Sequence, residues 1–594
     1  MLNKKCGRHT ALLLGMAMLL SISAFAAERG PGYVALSWTD STATTMTASW
    51  RDGVWQTEVM QVVAENQYGK DGFARAIEFK ADCKDISLDG SGAWQYEAVA
   101  AFLNPGTGYV YRVGSDGNWS EIHKFTTDDP ASKTLTFAYM GDVQPANDST
   151  AEFAQWGKLT EAMYRRNPEL AFAALGGDIV NSGISLVEFD LFKENAEGVF
   201  ANVPLFSTAG NHESNFIGGK PELFLDVFAF PQNGPEGFEE EFYSFQVANC
   251  QVLVLNSWIF SGEQKLTVAD YTRVNGWIKR TLATSTADWQ VVVTHIPVYA
   301  IHSDTTALAV RKNWAPIFEK YGVDLVFVGH QHVYSRSYPL YEGKIDYENG
   351  ITYVMGVSGS KFYGSADETL AERTIYNTAT YQLVQADGNM LTMQTLDVDG
   401  NELDYVTVPQ RVYQPVYSDV PADSWYAAAV NYVTQNDDLF DASSAGQFLP
   451  DAPMTRLMLA RALYRMAGSP AVTGSTPFTD CDEASAMWAY SASVVTGRGN
   501  GVFDPDGSVT RQEITAMLYR YTSRVSGGDL SHARELSPFS DVQTVADWAL
   551  NSVKWAVGAG LLNGMGDGTI SPMGTVTRAQ AAAIIMRFAQ GSAK

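Results

Sequence analysis

The sequence predicts a multidomain protein with an N-terminal all-β sandwich, a central α/β layered domain and C-terminal α-helical repeats. Short alternating stretches over residues 31–128, punctuated by Gly, Asn and Asp, predict the sandwich. Apolar strand-like runs that alternate with helical stretches over residues 134–409 predict the layered domain. An aromatic-Ser/Thr-Asp motif that begins at residues 417, 478 and 539, an interval of 61 residues, predicts stacked or symmetric modules.

The composition of the chain excludes some classes of protein. Hydrophobic residues make up 46% of its 594 residues, which is enough to build folded cores and argues against general disorder. The formal net charge is -25. We expect no nucleic acid as a binding partner, because neutralising phosphates requires clustered Lys and Arg.

The first 26 residues have the pattern of a secretory signal peptide. Lys4, Lys5 and Arg8 precede an apolar run over residues 11–22, and Ala24-Phe25-Ala26 offers a small-residue cleavage site. A membrane anchor is the alternative, but the run is shorter than the roughly 20 residues that a spanning helix needs. We therefore expect an exported protein with no membrane span after the signal is removed.

Polar side chains of the central domain follow apolar strands at five points. These junctions are Gly141-Asp142-Val143-Gln144, Gly177-Asp178-Ile179-Val180-Asn181, Gly210-Asn211-His212-Glu213, Thr294-His295 and Gly329-His330-Gln331-His332. Each motif alone is compatible with an ordinary turn or a packed His. Side chains at strand ends of a layered α/β fold converge on one crevice, however, and carboxylate, amide and imidazole donors together suit Fe, Mn or Zn. The five junctions therefore favour a site for two ions roughly 3.5–4 Å apart.

The order and content of these junctions resemble the calcineurin-like metallophosphoesterases over the whole central domain. The purple acid phosphatase branch is the nearest likeness, because residues 329–336 resemble its Gly-His-x-His-x-Tyr-x-Arg stretch. In those enzymes a fibronectin-like domain precedes the catalytic one, and residues 103–113 resemble the late strands of a fibronectin type III domain. The resemblance implies hydrolysis of a phosphate ester, in which a metal-bound hydroxide attacks phosphorus.

The resemblance also implies a role for each ligand. Asp178 would bridge both ions. The remaining ligands would be Asp142 and His332 for the first ion, and Asn211, His295 and His330 for the second.

Two further His are candidate catalytic residues by the same resemblance. His212 would contact the phosphate or protonate the leaving oxygen, or would instead orient a ligand through a hydrogen bond. His302 would contact the substrate, or would be a solvated loop His.

Two positions depart from the purple acid phosphatase pattern, although both remain candidate metal ligands. Those enzymes place an iron-ligating Tyr three residues after the bridging Asp, where this chain has Asn181. Other superfamily members often carry His two residues after the first Asp, where this chain has Gln144, a weaker donor. We expect no purple phenolate colour, and a first site that Mn or Mg fills more readily than Fe.

The C-terminal repeats at residues 414–472, 475–533 and 536–594 each carry a Trp and a Thr-Arg pair that opens a helix. These features resemble S-layer homology modules. The resemblance implies a pseudo-threefold bundle that binds secondary cell-wall polymers. A guanidinium can form two parallel hydrogen bonds with a carboxylate, so the residues expected to contact the polymer are Arg456, Arg511 and Arg578. The alternative is that each Arg caps a helix or forms an ion pair within its own module.

Together these features predict a secreted, cell-wall-tethered phosphoesterase that acts on phosphate monoesters in the manner of an acid phosphatase. Two alternatives remain. One is a phosphodiesterase with the same metal core, and the other is a wall-bound adhesin or scaffold with a degenerate catalytic domain. The complete set of candidate ligands argues against the scaffold.

Overall fold

The computed structural model describes residues 30–69, 71–87, 93–147, 150–214, 219–388, 390–409, 417–421, 424–435, 439–441, 443, 446–472 and 477–591. The predicted signal peptide lies outside these residues. The chain divides into two compact units, Met1–Ile278 with Ala287–Arg411, and Lys279–Thr286 with Val412–Lys594. Among the described residues, no helix is long and apolar enough to cross a bilayer.

The described part of the N-terminal region is all-β, apart from a short helix at Glu65–Tyr68 and a 3₁₀ turn at Gly72–Arg75. One sheet has the order β1 (Gly32–Ser37), β2 (Met46–Asp52), β6 (Trp94–Ala100) and β5 (Asp82–Asp85). The other has the order β4 (Ile77–Lys80), β3 (Val59–Ala64), β7 (Gly108–Ser115) and β8 (Asn118–Trp119), and β9 (His123–Thr126) also pairs with β7. The predicted all-β class of this region is confirmed.

Trp38, directly after β1, joins the N-terminal sheets to the central domain. Its side chain is fully buried, and its ring centroid lies 5.5 Å from that of Phe206 and 5.8 Å from that of Phe245. The backbone N–H of Val34 also donates to Glu197 Oε1 at 3.0 Å. Burying an indole of roughly 200 Å² stabilises this contact strongly, so the two regions form one packed unit.

The described central region contains two large mixed sheets. The first has the order β12 (Leu205–Ser207), β11 (Ala173–Leu175), β10 (Thr134–Met140), β22 (Tyr381–Asp387), β23 (Met390–Leu396) and β24 (Glu402–Pro409). The second has the order β13 (Phe242–Val247), β14 (Cys250–Leu255), β15 (Trp289–Thr294), β16 (Leu325–Val328), β20 (Thr352–Met355), β17 (Tyr334–Ser337) and β21 (Ala371–Ile375). A hairpin is formed by β18 (Leu340–Tyr341) and β19 (Lys344–Ile345). The helices are Thr150–Arg166, Leu186–Phe200, Asn211–Ser214, Glu222–Val227, Val268–Thr284 and Thr305–Lys320, and Ser257–Ser261 is a 3₁₀ turn.

The two central sheets pack through aromatic side chains. Tyr139 on β10 stacks on Phe327 on β16 with ring centroids 4.2 Å apart, and Phe206 on β12 stacks on Phe245 on β13 at 4.1 Å. The parallel strands β10, β11 and β12 end at the same level, because Met140 is the register partner of Leu175, which is the partner of Ser207. The loops after these strands therefore begin side by side, which confirms the predicted layered α/β class.

The C-terminal unit is built from paired helices in repeated modules. Its described helices are Ala427–Gln435, Arg456–Met466, Ala484–Ser491, Arg511–Tyr521, Leu550–Gly558 and Arg578–Gly591, with shorter helical turns at Thr522–Ser526, Val542–Thr544 and Asp547–Ala549. Isolated bridges join Thr455 to Ser508, Thr510 to Thr575 and Pro453 to Thr577, so each module pairs with both others. Thr510 caps its helix in a reciprocal capping box with Glu513, as the Thr-Arg motif predicts.

Candidate metal centre

The loops after β10, β11, β15 and β16 bring their acidic and imidazole side chains together. In the described part of the chain, two groups can each hold a cation, with all ligand atoms of a group within 4.8 Å of one another. One group is Asp178, His295 and His330, and the other is Asp142, Asp178 and His332. Asp178 belongs to both groups, which is the arrangement that two neighbouring ions with a shared carboxylate require.

The Gly residues of the motifs let the loops approach each other closely. A Cβ on Gly329 would lie 2.1 Å from Asp142 Oδ1, and a Cβ on Gly210 would lie 2.2 Å from Asp178 Oδ1. Because Gly has no Cβ, the carboxylates can approach the backbone: the His330 N–H donates to Asp142 Oδ1 at 2.8 Å, and the His212 N–H donates to Asp178 Oδ1 at 2.9 Å. Any side chain at these two positions would displace the carboxylates of the centre.

Three residues of the centre have left-handed backbone conformations. The φ angles are 49° at Asp178, 75° at His330 and 46° at His332. Such angles are uncommon outside Gly, and they persist at sites where the surrounding contacts over-determine the backbone. The strained positions coincide with three of the predicted ligands.

Three imidazoles of the centre have their outward ring nitrogens held by acceptors. His295 Nδ1 lies 2.8 Å from Gly176 O, His332 Nδ1 lies 3.1 Å from Lys361 O, and His330 Nε2 lies 2.9 Å from Asp304 Oδ2. Because a carbonyl or carboxylate oxygen can only accept, each of these nitrogens carries the proton. The other nitrogen of each ring faces the centre and is the atom that could bind a metal, as in His ligands of metals.

The inward nitrogens face other acceptors instead of donors. His295 Nε2 lies 3.3 Å from Asp178 Oδ2 and 3.1 Å from Asn211 Oδ1. His330 Nδ1 lies 2.9 Å from Asn211 Oδ1 and 3.2 Å from His295 Nε2, and His332 Nε2 lies 3.3 Å from Asp142 Oδ2. Lone pairs so close together repel unless a proton or a cation lies among them. The donor set therefore fits two cations that share Asp178.

Burial sets the charge balance of the centre. It raises the pKa of Asp142 well above its usual range, and it lowers the pKa of His332 to about 3. Burial also opposes a charge on His295, but the carboxylates of Asp178 and Asp142 outweigh it and raise the pKa of His295 to about 9. Burial acts on Asp178 too, yet its contacts with His295 hold the pKa of this carboxyl below its usual range. The cluster thus needs added positive charge to ionise Asp142 beside the carboxylate of Asp178.

Glu213 has a structural role that the sequence analysis did not assign, although it stands in the Gly-Asn-His-Glu motif. Its buried carboxylate accepts the N–H groups of Asp178 at 2.9 Å, Ile179 at 2.9 Å and Gly210 at 2.7 Å. Burial and the nearby Asp178 raise the pKa of Glu213 to about 7. One acid therefore ties together the two loops that carry Asp178 and Asn211.

Gln144 and Asn181, the two departures from the phosphatase pattern, lie beside the centre and contact each other. Gln144 Nε2 donates to Asn181 Oδ1 and lies 2.9 Å from His212 Nε2. His212 Nδ1 lies 2.6 Å from Asn181 O, which fixes its proton on Nδ1. The structure thus brings His212 next to the centre and places both amides around it.

His302 lies outside the ligand cluster and lines a neighbouring cavity of about 380 Å³. Its backbone is held by the side chain of Gln331, which accepts the His302 N–H at 3.0 Å and donates to His302 O at 3.0 Å. Its Nε2 is buried and has no hydrogen-bond partner in the described part of the chain. The same cavity is lined by Asp304, whose carboxylate contacts His330, so the cavity adjoins the centre.

Arg456, Arg511 and Arg578 occupy equivalent, buried positions in the C-terminal unit, with exposures of 4–6%. The Nε of each donates to a carbonyl of another module: Arg456 to Phe503 at 2.9 Å, Arg511 to Ile570 at 2.8 Å and Arg578 to Phe448 at 2.7 Å. These bonds run from the first module to the second, from the second to the third, and from the third to the first. The alternative expectation, that each Arg serves only its own module, is therefore wrong.

A cavity of about 400 Å³ in the C-terminal unit is lined by Arg456, Arg498, Arg520 and Trp548, together with Glu513. The Trp548 side chain is 56% exposed. Of the three predicted polymer contacts, Arg456 lines this cavity.

Three regions of the chain match known protein families. Residues 135–334 match the calcineurin-like phosphoesterase family, residues 31–127 match the purple acid phosphatase N-terminal domain, and residues 416–457, 477–515 and 538–582 match the S-layer homology domain. These matches confirm the three resemblances that the sequence predicted.

Individual relatives cover parts of the chain. An uncharacterised protein of Mycobacterium tuberculosis is 29% identical over 268 residues, which cover 40% of this chain and 50% of that protein. Fe(3+)-Zn(2+) purple acid phosphatase 12 of Arabidopsis thaliana is 27% identical over 248 residues, covering 39% of this chain and 50% of that protein. The chain thus spans about half the length of these curated relatives. A purple acid phosphatase structure from yellow lupin (Lupinus luteus) seeds shares the fold, with a TM-score of 0.53 and 16% identity over 64% of this chain and 74% of that one.

Proposed function

We propose that this chain is a metal-dependent phosphatase anchored to the cell wall. Its matches to the calcineurin-like phosphoesterases, the purple acid phosphatase N-terminal domain and the S-layer homology domain support the proposal. Its substrates would be phosphate monoesters. The observation that carries the proposal is the position of Asp178 in both candidate cation-binding groups. When bound, two ions supply positive charge for the phosphate and lower the pKa of bound water to about 7.

The roles of the surrounding residues follow from their contacts. Asp142, Asp178, Asn211, His295, His330 and His332 would hold the two ions. Gly176 O, Asp304 and Lys361 O keep the three imidazoles turned inward. These partners fix the geometry before a substrate arrives, which removes an orientation cost from the reaction.

His212 would act as the general acid towards the leaving alcohol. Its Nδ1 is occupied by Asn181 O at 2.6 Å, so Nε2 is the nitrogen that can carry a transferable proton. Nε2 lies beside Gln144, at the edge of the centre. A positioned general acid contributes roughly a hundredfold to ten-thousandfold in rate.

The cavity of about 380 Å³ that adjoins His330 through Asp304 would receive the alcohol part of the ester. Its volume lies within the range of small-molecule sites, roughly 300–1,000 Å³. His302 would contact the substrate there, because its buried Nε2 has no partner among the described residues.

Turnover of p-nitrophenyl phosphate and bis-p-nitrophenyl phosphate with added Mn, Zn, Fe or Mg tests this proposal. We expect turnover that is greater for the monoester. A greater rate with the diester would favour the phosphodiesterase alternative. No turnover with any of the metals would favour the wall-bound scaffold.

The C-terminal unit would bind a secondary cell-wall polymer and so place the enzyme at the cell surface. The three S-layer homology matches support this, as does the cavity in which Arg456, Arg498 and Arg520 lie near the exposed Trp548. A sedimentation assay with purified cell-wall sacculi should retain the full chain and lose a form truncated at Pro415. Equal retention of the truncated form would contradict wall anchoring by this unit.

A further inference from the structure

We propose that Lys361 is a phosphate-binding residue that makes this centre prefer dianionic phosphate monoesters over monoanionic diesters. The inference rests on the proposed function and identifies what would set its substrate class. The residue carries a positive charge of the protein's own, separate from that of any bound metal.

The ammonium of Lys361 lies at the edge of the centre and is separated from the candidate general acid by one side-chain amide. Its Nζ donates to Gln144 Oε1 at 3.2 Å. The Gln144 side chain is buried, and its Nε2 lies 2.9 Å from His212 Nε2. Gln144 Nε2 also lies 3.1 Å from His212 Nδ1. Lys361 and His212 therefore both contact one amide, so an anion bound beside His212 would lie within reach of the ammonium.

The backbone around Lys361 is fixed to the centre on both sides. Lys361 O lies 3.1 Å from His332 Nδ1, and the Tyr363 N–H donates to His332 O at 3.1 Å. Two residues before Lys361, the Gly359 N–H donates to Asp142 O at 2.7 Å. The segment is thus anchored to two candidate ligands, and the position of the ammonium does not depend on a free loop.

The charge of Lys361 has no carboxylate partner among the residues that the structure describes. Its side-chain contacts there are the neutral amide of Gln144 and the face of Tyr363, whose ring centroid lies 5.9 Å from Nζ. The acids of the centre, Asp142 and Asp178, contact His332 and His295 instead. A half-buried ammonium without a counter-ion is suited to receive an anion.

The chemistry of the two ester classes explains the expected preference. Near neutral pH a phosphate monoester carries up to two negative charges and three unesterified oxygens, whereas a diester carries one charge and two such oxygens. An ammonium offers three N–H donors. It therefore gains more from the monoester, and a charge-assisted hydrogen bond of this kind corresponds to roughly a tenfold to hundredfold change in binding.

The test compares Lys361→Met and Lys361→Arg with the metal-loaded wild-type chain. Lys158→Met, at an exposed position of the helix Thr150–Arg166, is the matched control for loss of one positive charge. Three quantities are measured: kinetics with p-nitrophenyl phosphate and bis-p-nitrophenyl phosphate, calorimetric binding of inorganic phosphate, and metal content. Because Lys361 holds His332 through its carbonyl, the Met variant should keep its metals.

We expect Lys361→Met to lose roughly tenfold to hundredfold in kcat/KM for the monoester, mostly through KM, and much less for the diester. Phosphate binding should weaken by a similar factor, while Lys361→Arg retains most of it and Lys158→Met is unchanged. Unaltered phosphate binding in Lys361→Met, an equal loss for both esters, or a loss of metal would overturn the inference. If the wild-type chain turns over neither ester, the proposed function fails, and the phosphate titration still decides whether Lys361 binds the anion.

Discussion

The carboxylate of Glu213 accepts the backbone N–H of Asp178 at 2.9 Å. The accepting atom is Oε2, which also accepts the Gly210 N–H at 2.7 Å, while Oε1 accepts the Ile179 N–H at 2.9 Å. The loop that carries Asp178 and the loop that carries Asn211 are therefore held by one buried acid. A change at Glu213 should disturb the metal centre without removing any of its candidate ligands.

Glu213→Gln is expected to weaken metal binding about 10- to 100-fold, as changes in groups that orient ligands typically do. The amide replaces one acceptor oxygen with an N–H donor, which then faces backbone N–H groups. The free energy of unfolding should also fall by about 1–3 kcal/mol. Metal titration and chemical denaturation measure both effects. Glu222→Gln, at an exposed position in the first turn of the helix Glu222–Val227, is the control and should change neither.

The ferric form of the protein should lack the visible charge-transfer band of an iron phenolate. Asn181 stands where the purple acid phosphatase pattern has Tyr, and its side chain and carbonyl contact Gln144 and His212. The absorption spectrum after iron loading, together with metal analysis of protein purified without added metal, measures this. A purple band, or tight stoichiometric iron, would show that the first site has the iron preference of those enzymes.

Arg511→Lys should destabilise the C-terminal unit. The Arg511 Nε donates to Ile570 O at 2.8 Å across two modules, and an ammonium cannot reproduce the fork of N–H donors. We expect a loss of about 1–3 kcal/mol in the free energy of unfolding, because a buried carbonyl loses its partner. Urea denaturation of the full chain, followed by a probe in this unit, gives the value. If the exposed control Arg524→Lys loses as much, the bond between modules is not the cause.

Lys193→Met should stabilise the protein. Lys193 is buried, its Nζ donates to Val227 O at 3.1 Å, and burial lowers its pKa from 10.5 to about 7. The buried ammonium of Lys193 is less stable in the folded state than in the unfolded state. It therefore destabilises the fold fully below pH 7, and this effect disappears as the pH rises towards 10.5, where the amine is neutral in both states. We expect the variant to gain stability at pH 7, by at most about 5 kcal/mol, because each pKa unit between 10.5 and about 7 corresponds to about 1.4 kcal/mol. The gain should shrink on going to pH 10. Denaturation curves at pH 7 and pH 10 measure the gain in stability. A gain that grows with pH would contradict the conclusion that the buried charge of Lys193 is destabilising.

The fold class and the candidate ligands could be predicted from sequence because both depend on local patterns. Apolar runs mark strands, and a Gly followed by Asp, Asn or His marks a strand end that approaches its neighbour, as Gly329 approaches Asp142. The left-handed backbone of Asp178 could not be predicted, because tertiary contacts such as that with Glu213 impose it.

Contacts between segments that are far apart in the sequence could not be predicted either. Lys361 and Gln144 are 217 residues apart, and no periodicity relates them. Arg578 is 130 residues from Phe448, the carbonyl of which accepts its Nε. The sequence correctly predicts that Arg456, Arg511 and Arg578 begin helices. Only the structure shows that their side chains donate to carbonyls of another module.

Metal content and p-nitrophenyl phosphate turnover of Asp178→Asn, compared with the wild-type chain, test the central claim most directly. We expect two ions per wild-type chain, and loss of both in the variant, because Asp178 belongs to both candidate cation-binding groups. Turnover should fall by roughly a thousandfold, which matches several kcal/mol of lost charge stabilisation. A variant that keeps two ions and near wild-type turnover would contradict the shared metal centre.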